Sequence, residues 1–474
     1  MIFFLNNYLL DNQIFFYFNI NMENIIGTTL KNKYRNIISQ LEITAADPYE
    51  QNYVNTALQF FSSEEILDNI DNIKLYKYSD NGNPKDFLKN FFKQIFNNIS
   101  VKPYAKDKLQ LEQTSTGTVW RPNHGGLNHL RSAKYGIWFL NKFRERNPEL
   151  FYTLFPNKSL LILAICSTPF ESFMRIDEEG SFAVRGKMTE KNFNMIYPDL
   201  IDLVPRNSSS MSPHQIVSSI FFKILSNACF DSVIDSYKQQ IVSRAIGWYW
   251  EGRNSENGNS VNLESKYLKT NIDYKSEIKW DINNYDISSL DFQRLVFFLS
   301  YCIAICGHYL DHCRCMNFSS LHKPFETIDN NWLRLFKNIA KITKDDEREI
   351  FDIVIDSLYK TEFEKPLECG ESNGKPRIPN QFDDFLNRNL DMSTYCRQCV
   401  PPNKRYKNEN FYLYSTNFEA AYDVLEIDND IHELIQNYKP EHFLDNANKK
   451  NTSTLLVDIL QKYSVNINEI IGKL

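Results

Sequence analysis

The sequence predicts a mainly α fold, on three observations. Apolar residues recur at spacings of three and four along most long segments, which lines one face of a helix. No alternating strands surround the most apolar run, LLILAIC at 160–166. Loops rich in Pro, Gly, Asn and Ser break the periodicity at 204–213 (VPRNSSSMSP), 251–260 (EGRNSENGNS) and 369–380 (CGESNGKPRIPN). There is no internal repeat.

In chain order, residues 1–21 (MIFFLNNYLLDNQIFFYFNIN) are apolar but interrupted by asparagines and Asp11. A spanning helix wants about twenty mostly apolar residues and a signal peptide wants a basic first region, so this stretch is read as a disordered leader or an overcalled start. An N-terminal helical segment is expected over 22–94, opening with the amphipathic ENIIGTTLKNKYRNIISQLE. In LNHLRSAKYGIWFLNKF, Leu130, Ala133, Ile137 and Leu140 line one helix face. The run LLILAIC is short enough for a buried helix or a core strand, and helix is the preferred reading. In DFQRLVFFLSYCIAICGHYLDHCRC, Leu295, Phe298, Leu299, Cys302, Ile305, Cys306 and Tyr309 predict a helix buried on most sides. The tail LVDILQKYSVNINEIIGKL returns to amphipathic helix.

At 474 residues, 42% hydrophobic and 24% charged, the chain can bury a substantial core. A net charge of −6 and a pI near 5.9 argue against a nucleic-acid partner, which calls for a strongly basic face. Nine cysteines are an odd number without the dense spacing of a disulfide scaffold, so reduced thiols are expected. Cys313/Cys315 and Cys396/Cys399 form only a weak zinc signature, a C-x-C far from a C-x-x-C.

Two of the eight histidines fall in WRPNHGGLNHLR at 120–131. Pro122 disfavours the α region for Arg121 and Asn123 is a good N-cap, so a helix is expected to begin within Asn123-His124-Gly125. His124 then sits at a helix mouth, where free N–H groups favour an anion and Arg121 and Arg131 add charge-assisted donors. The paired glycines allow close approach to the backbone. A plainer reading makes His124 and His129 capping or core residues. A second cluster, GHYLDHCRC at 307–315, puts His308, Asp311 and His312 at i, i+3 and i+4 on one helix face. That face can hold a metal or present an oriented general acid, or His308 and Asp311 simply satisfy each other in a helix interface. The H-E-x-x-H motif is absent, and no His is followed by Asp. Between the clusters lies FESFMRIDEEG at 170–180, an Arg followed by three acids, which is either a carboxylate source for a pocket or a solvated turn.

These blocks resemble the phosphodiesterase domain of the SidE-type bacterial effectors and the stand-alone relatives that remove phosphoribosyl-linked ubiquitin. RPNHGGLNHLR is similar to that family's R-P-N-H-G-L-x-H-x-x-R block, FMRIDEE to its acidic block and GHYLDHCRC to its second-histidine block, in the same order. NFEAAYDVLEID at 417–428 is similar to the region that closes the domain. The resemblance therefore implies a single large helical phosphodiesterase domain over 95–435, with a helical cap insertion around 200–275 and a C-terminal helical tail over 436–474. It implies metal-independent chemistry without a cofactor, through a phosphohistidine intermediate, on phosphoribosyl-linked or ADP-ribosylated ubiquitin. His124 would be the nucleophile, Glu178 would hold its far ring nitrogen, with Glu179 a rival for that role, and His308 would protonate the leaving group. Arg121, Asn123, His129, Arg131, Arg175, Asp311 and Arg314 would bind substrate and phosphate. The implied setting is a monomeric effector secreted by a bacterium into host cytoplasm, with ubiquitin or ubiquitinated host proteins as partners and no integral membrane segment.

The chain departs from the family in two places. His124 and His129 are five residues apart where the family has four, so on one ideal helix they would diverge by about 140°. The gap from Glu178 to His308 (308 − 178 = 130) is longer than the family's, which is the basis for the expected insertion. No ADP-ribosyltransferase set of an Arg, a Ser-Thr-Ser-like strand and Glu-x-Glu is present. Two other readings stay open: a non-catalytic module that docks ubiquitin or another host protein, and a metal-dependent phosphohydrolase using His308 and His312.

Overall fold

The computed structural model describes residues 29–45, 48–100, 111–114, 117–120, 126–170, 186–203, 213–253 and 417–443, the short strands at 371–372 and 375–376, and short runs and single positions between 296 and 357. The described part is mainly α, with strands only as three two-stranded antiparallel ribbons.

Local sequence accounts for the first helices. Helix α1 (29–38) buries Leu30, Tyr34 and Ile38, one residue per turn on a single face. After β1 (Ile43–Ala45) and α2 (Pro48–Phe61), α3 (Glu64–Asp71) is capped by Ser63, whose hydroxyl accepts from the Ile66 N–H. Helix α4 (Pro84–Ile95) combines an Asn83 cap with proline in its first turn and buries Phe87, Leu88, Phe91, Phe92 and Ile95. It runs into a π turn, Phe96–Ser100. A hairpin follows, β2 (Leu111–Thr114) against β3 (Gly117–Trp120), leading towards the long helix α5 (Gly126–Arg146).

The run LLILAIC is a helix, as its surroundings predict. Helix α7 (Lys158–Ser167) follows the short α6 (Pro148–Leu154), is capped by Asn157 accepting from the Leu160 N–H, and is buried from Ser159 to Ser167. It ends in a 3₁₀ turn, Thr168–Phe170. Strand β4 (Gly186–Met188) returns to pair with β1, Ile43 opposite Met188. Next come α8 (Glu190–Ile196), a 3₁₀ segment (Pro198–Leu203), α9 (Pro213–Phe230) and α10 (Ser236–Arg253). These last two fall where an inserted cap was expected, and α9 is deeply buried: Ile216, Val217, Ile220 and Phe221 have no exposed surface. Phe221 meets Tyr34 of α1 edge-on and Phe222 lies 4.9 Å from Phe170, so α9 is part of the core.

Ribbon β5–β6 (Glu371–Ser372, Lys375–Pro376) precedes α11 (Phe418–Val424) and α12 (Ile427–Gln436). Glu426 joins these two helices with φ of 56°, a left-handed conformation that is uncommon outside glycine and makes the corner sharp. One connected core runs from Leu30 to Tyr438, so the described N-terminal helices and the α5–α12 region share a single interior. Among the described residues no single helix is long and apolar enough to cross a membrane. The pair α6 and α7 with its 3₁₀ turn passes only as two pieces bent by 90°. The leader at 1–21 and the tail at 456–474 lie outside the described residues.

Candidate functional site

Helix α5 carries the described end of the first histidine block. Sequence periodicity assigned it one apolar face, but every residue from Gly126 to Ile137 is buried. The difference comes from neighbours on all sides: the π turn after α4, the 3₁₀ turn after α7, and α12 all pack on this helix. Gly126 is needed at its start, because a Cβ there would come within 2.5 Å of the Phe96 ring. His129 is 5% exposed and Arg131 is 0% exposed, and both are engaged by neighbouring groups. Arg131 is the bulkiest fully buried side chain among the described residues, which sets it apart from a solvated arginine on a helix face.

The other two blocks meet α5 at their described edges. Positions 296, 299, 300, 303, 304 and 307 are helical, and Val296, Leu299, Ser300, Ile303, Ala304 and Gly307 are buried. Of the face expected from periodicity, only Leu299 is described. Gly307, the first residue of GHYLDHCRC, presses against α5: a Cβ there would lie 2.8 Å from the Ser132 carbonyl oxygen and 3.6 Å from that of Thr168. Thr168 in turn sits on α5, since a Cβ at Gly136 would lie 2.4 Å from its Cγ2. Two residues beyond Thr168 is Phe170, where the acidic block begins, with no exposed surface and packed near Phe91, Phe221 and Phe222. The described edges of all three blocks therefore converge on the first three turns of α5.

His124, Glu178, Glu179, His308, Arg121, Asn123, Arg175, Asp311, Arg314 and His312 lie outside the described residues, as do Cys313, Cys315, Cys396 and Cys399. So does the expected helix start at Asn123-His124-Gly125; the helix is described from Gly126. Cys166 and Cys229 are free and buried. Burial raises both thiols, Cys229 to about 12. Among the described residues no group of three His, Cys, Asp or Glu converges as metal ligands do. Sequence reasoning passed over Ser132, Gly136 and Thr168. A glycine in mid-helix, as at 136, was the available signal, since it marks close approach of another element.

Further along α5 a cleft of about 260 Å³ opens towards α12. Lys134 donates to Asp430 at 3.0 Å, Lys142 to Glu349 at 2.8 Å, and the Trp138 indole N–H to Glu349 at 3.2 Å. The Asn141 amide donates to the Asp430 backbone carbonyl at 3.2 Å. Burial raises the Asp430 carboxyl above its ordinary range; Lys134 opposes that rise, and Glu433 and Glu426 add to it. Lys134 and Asn141 tie α12 to α5, and Trp138 and Lys142 tie Glu349 to the same helix.

No known protein-family model, curated protein or solved structure matches the chain.

Proposed function

We propose that this chain is a metal-independent phosphodiesterase that acts on phosphoribosyl-linked or ADP-ribosylated ubiquitin through a phosphohistidine on His124. One observation carries the reading: three segments separated by up to 181 residues (307 − 126), singled out in the sequence for their His, Arg and acidic content, have their described edges together on α5. A Cβ on Gly307 would stand 2.8 Å from the Ser132 carbonyl oxygen, one residue beyond Arg131, and 3.6 Å from that of Thr168, which leads into the acidic block. A nucleophile, an orienting carboxylate and a general acid must reach hydrogen-bond distance of one another or of one substrate atom. Segments held this close at their edges meet that requirement far more readily than segments on separate faces.

In this mechanism His124 attacks phosphorus, its far ring nitrogen held by Glu178, while His308 gives a proton to the departing oxygen. Water, giving its proton to the now neutral His308, then attacks the phosphohistidine and frees His124. Arg131 comes from a fully buried position on α5. An arginine there supplies fixed positive charge in a low-dielectric setting, where it acts most strongly on a developing phosphate charge. The effector setting in host cytoplasm and the ubiquitin partner follow from the family resemblance.

The test is incubation of the purified chain with phosphoribosyl-linked ubiquitin conjugates and with ADP-ribosylated ubiquitin, with and without prolonged EDTA. Loss of conjugate, or release of AMP, that survives EDTA supports the proposal. No turnover of any conjugate moves the assignment to a docking module. EDTA inactivation reversed by zinc or manganese moves it to a metal-dependent phosphohydrolase.

A further inference from the structure

We infer that Thr168 is a positioning residue that sets the spacing of the three blocks on α5. Its consequence for catalysis rests on the phosphodiesterase reading; its packing role does not. Thr168 is fully buried at the end of α7. Its hydroxyl donates to the Ile165 carbonyl at 2.8 Å, which fixes the side-chain rotamer. In that rotamer Cγ2 occupies the notch left by the missing side chain of Gly136. The Thr168 carbonyl oxygen lies 3.6 Å from where a Cβ on Gly307 would stand, beside the Ser132 carbonyl oxygen at 2.8 Å. One residue thus touches the helix of the first block, starts the turn that leads to the second and borders the opening residue of the third.

Threonine suits the place on two counts. Serine would keep the hydroxyl bond and lose the methyl that fills the notch. Valine would fill the notch and lose the bond to Ile165. Gly136 is fixed by the Thr168 methyl, which a Cβ there would meet at 2.4 Å, and Gly307 by the Ser132 carbonyl oxygen, which a Cβ there would meet at 2.8 Å, each far inside van der Waals contact. Adding a methyl at 136 therefore drives the α7 turn off α5 by about 1 Å, and a misplacement of that size costs about 10²-fold in rate when it reaches a catalytic group.

The experiment moves the methyl from one side of the contact to the other. Gly136→Ala, Thr168→Ser and the double variant are compared with the natural chain in two readouts. The first is amide hydrogen exchange in peptides covering Thr168–Phe170 and Ile303–Gly307, with peptides from α9 and α10 as the internal control. Faster exchange is expected in both segments together for each single variant, with α9 and α10 unchanged. Near-natural protection should return in the double variant, where the methyl added at position 136 refills the space vacated by the methyl removed at position 168. The remaining Cβ to Cβ distance of 3.0 Å needs a shift of only a few tenths of an ångström. The second readout is turnover of the ubiquitin conjugates. Gly136→Ala should lower kcat about 10²-fold with little change in KM, and the double variant should recover most of it. Unchanged exchange in the single variants, or a double variant no better than Gly136→Ala, overturns the inference. If Gly136→Ala does not fold, Thr168→Ser and the double variant decide it. An inactive natural chain with the expected exchange pattern refutes the phosphodiesterase reading and leaves the positioning role standing.

Discussion

Replacing Lys134 by Met tests the link between α5 and α12 in a way that charge, burial and pH all constrain. The Lys134 side chain is 11% exposed and that of Asp430 is 25% exposed, with nitrogen and oxygen 3.0 Å apart. Breaking a fully buried pair from one side costs about 3–5 kcal/mol, because a charge is left uncompensated. An exposed pair is worth about 0–1 kcal/mol. The partial exposure here sets the cost of Lys134→Met at about 2 kcal/mol. Unfolding entropy of about 2.1 cal/mol/K per residue over the 474-residue chain gives about 1 kcal/mol/K, so the melting temperature should fall by about 2 °C. Asp430→Asn added to Lys134→Met removes the stranded charge and should recover most of the loss. Burial raises the Asp430 carboxyl on folding, so this group favours the folded state below its ordinary value of 3.8, and the advantage is lost as pH climbs through the folded value. Without Lys134, which holds that value down, the folded value climbs further, and the deficit of Lys134→Met should be smaller at about pH 5 than at about pH 7.5. Scanning calorimetry at both pH values reads all of this. A deficit independent of pH, or a double variant as unstable as the single one, would refute the reasoning.

Gly126→Ala should cost about 1–3 kcal/mol by driving a methyl into the Phe96 ring, and Phe96→Leu in the same chain should recover part of it; an unchanged urea midpoint would show that the ring swings aside at no cost. Lys223, whose ammonium donates to the Ile196 carbonyl, is lowered by burial to about 8. A base lowered on folding binds fewer protons folded than unfolded between about 8 and its ordinary 10.5, so its share of stability should rise with pH across that window and be flat in Lys223→Met, as paired denaturation curves would reveal. Peptides containing Cys166 and Cys229 should resist alkylation in the native protein and react once it is unfolded, since burial keeps both thiols protonated; rapid native labelling of either would contradict their placement.

The helical character was legible because it rests on local rules. An apolar run with no strand partners nearby became α7, and the helix starts at Ser63 and Asn83-Pro84, which the sequence reading did not single out, are set by caps just as local. What escaped the sequence depends on distant partners. Strand β1 pairs with β4 across more than 140 residues (186 − 45 = 141), and neither three-residue strand has a pattern of its own. Lys134 and Asn141 lie off the apolar face that periodicity marks, yet they are buried because α12, almost 300 residues on (430 − 134 = 296), brings Asp430 to Lys134 and a carbonyl to Asn141. Of the candidate site, residue types and chain order could be read directly. The notches at Gly136 and Gly307 could not, since a glycine shows that something comes close without showing what.

The most direct test of phosphodiesterase chemistry through His124 is the covalent intermediate in His308→Ala. AMP is a phosphate that departs without needing a proton, so the variant should still allow attack on ADP-ribosylated ubiquitin; it lacks the base that activates water, so a phosphate-linked adduct should accumulate on His124 and be seen by mass spectrometry after acid-free quenching. His124→Ala should show neither adduct nor turnover. Turnover that persists in His124→Ala, or an adduct on any residue other than His124, would contradict the mechanism.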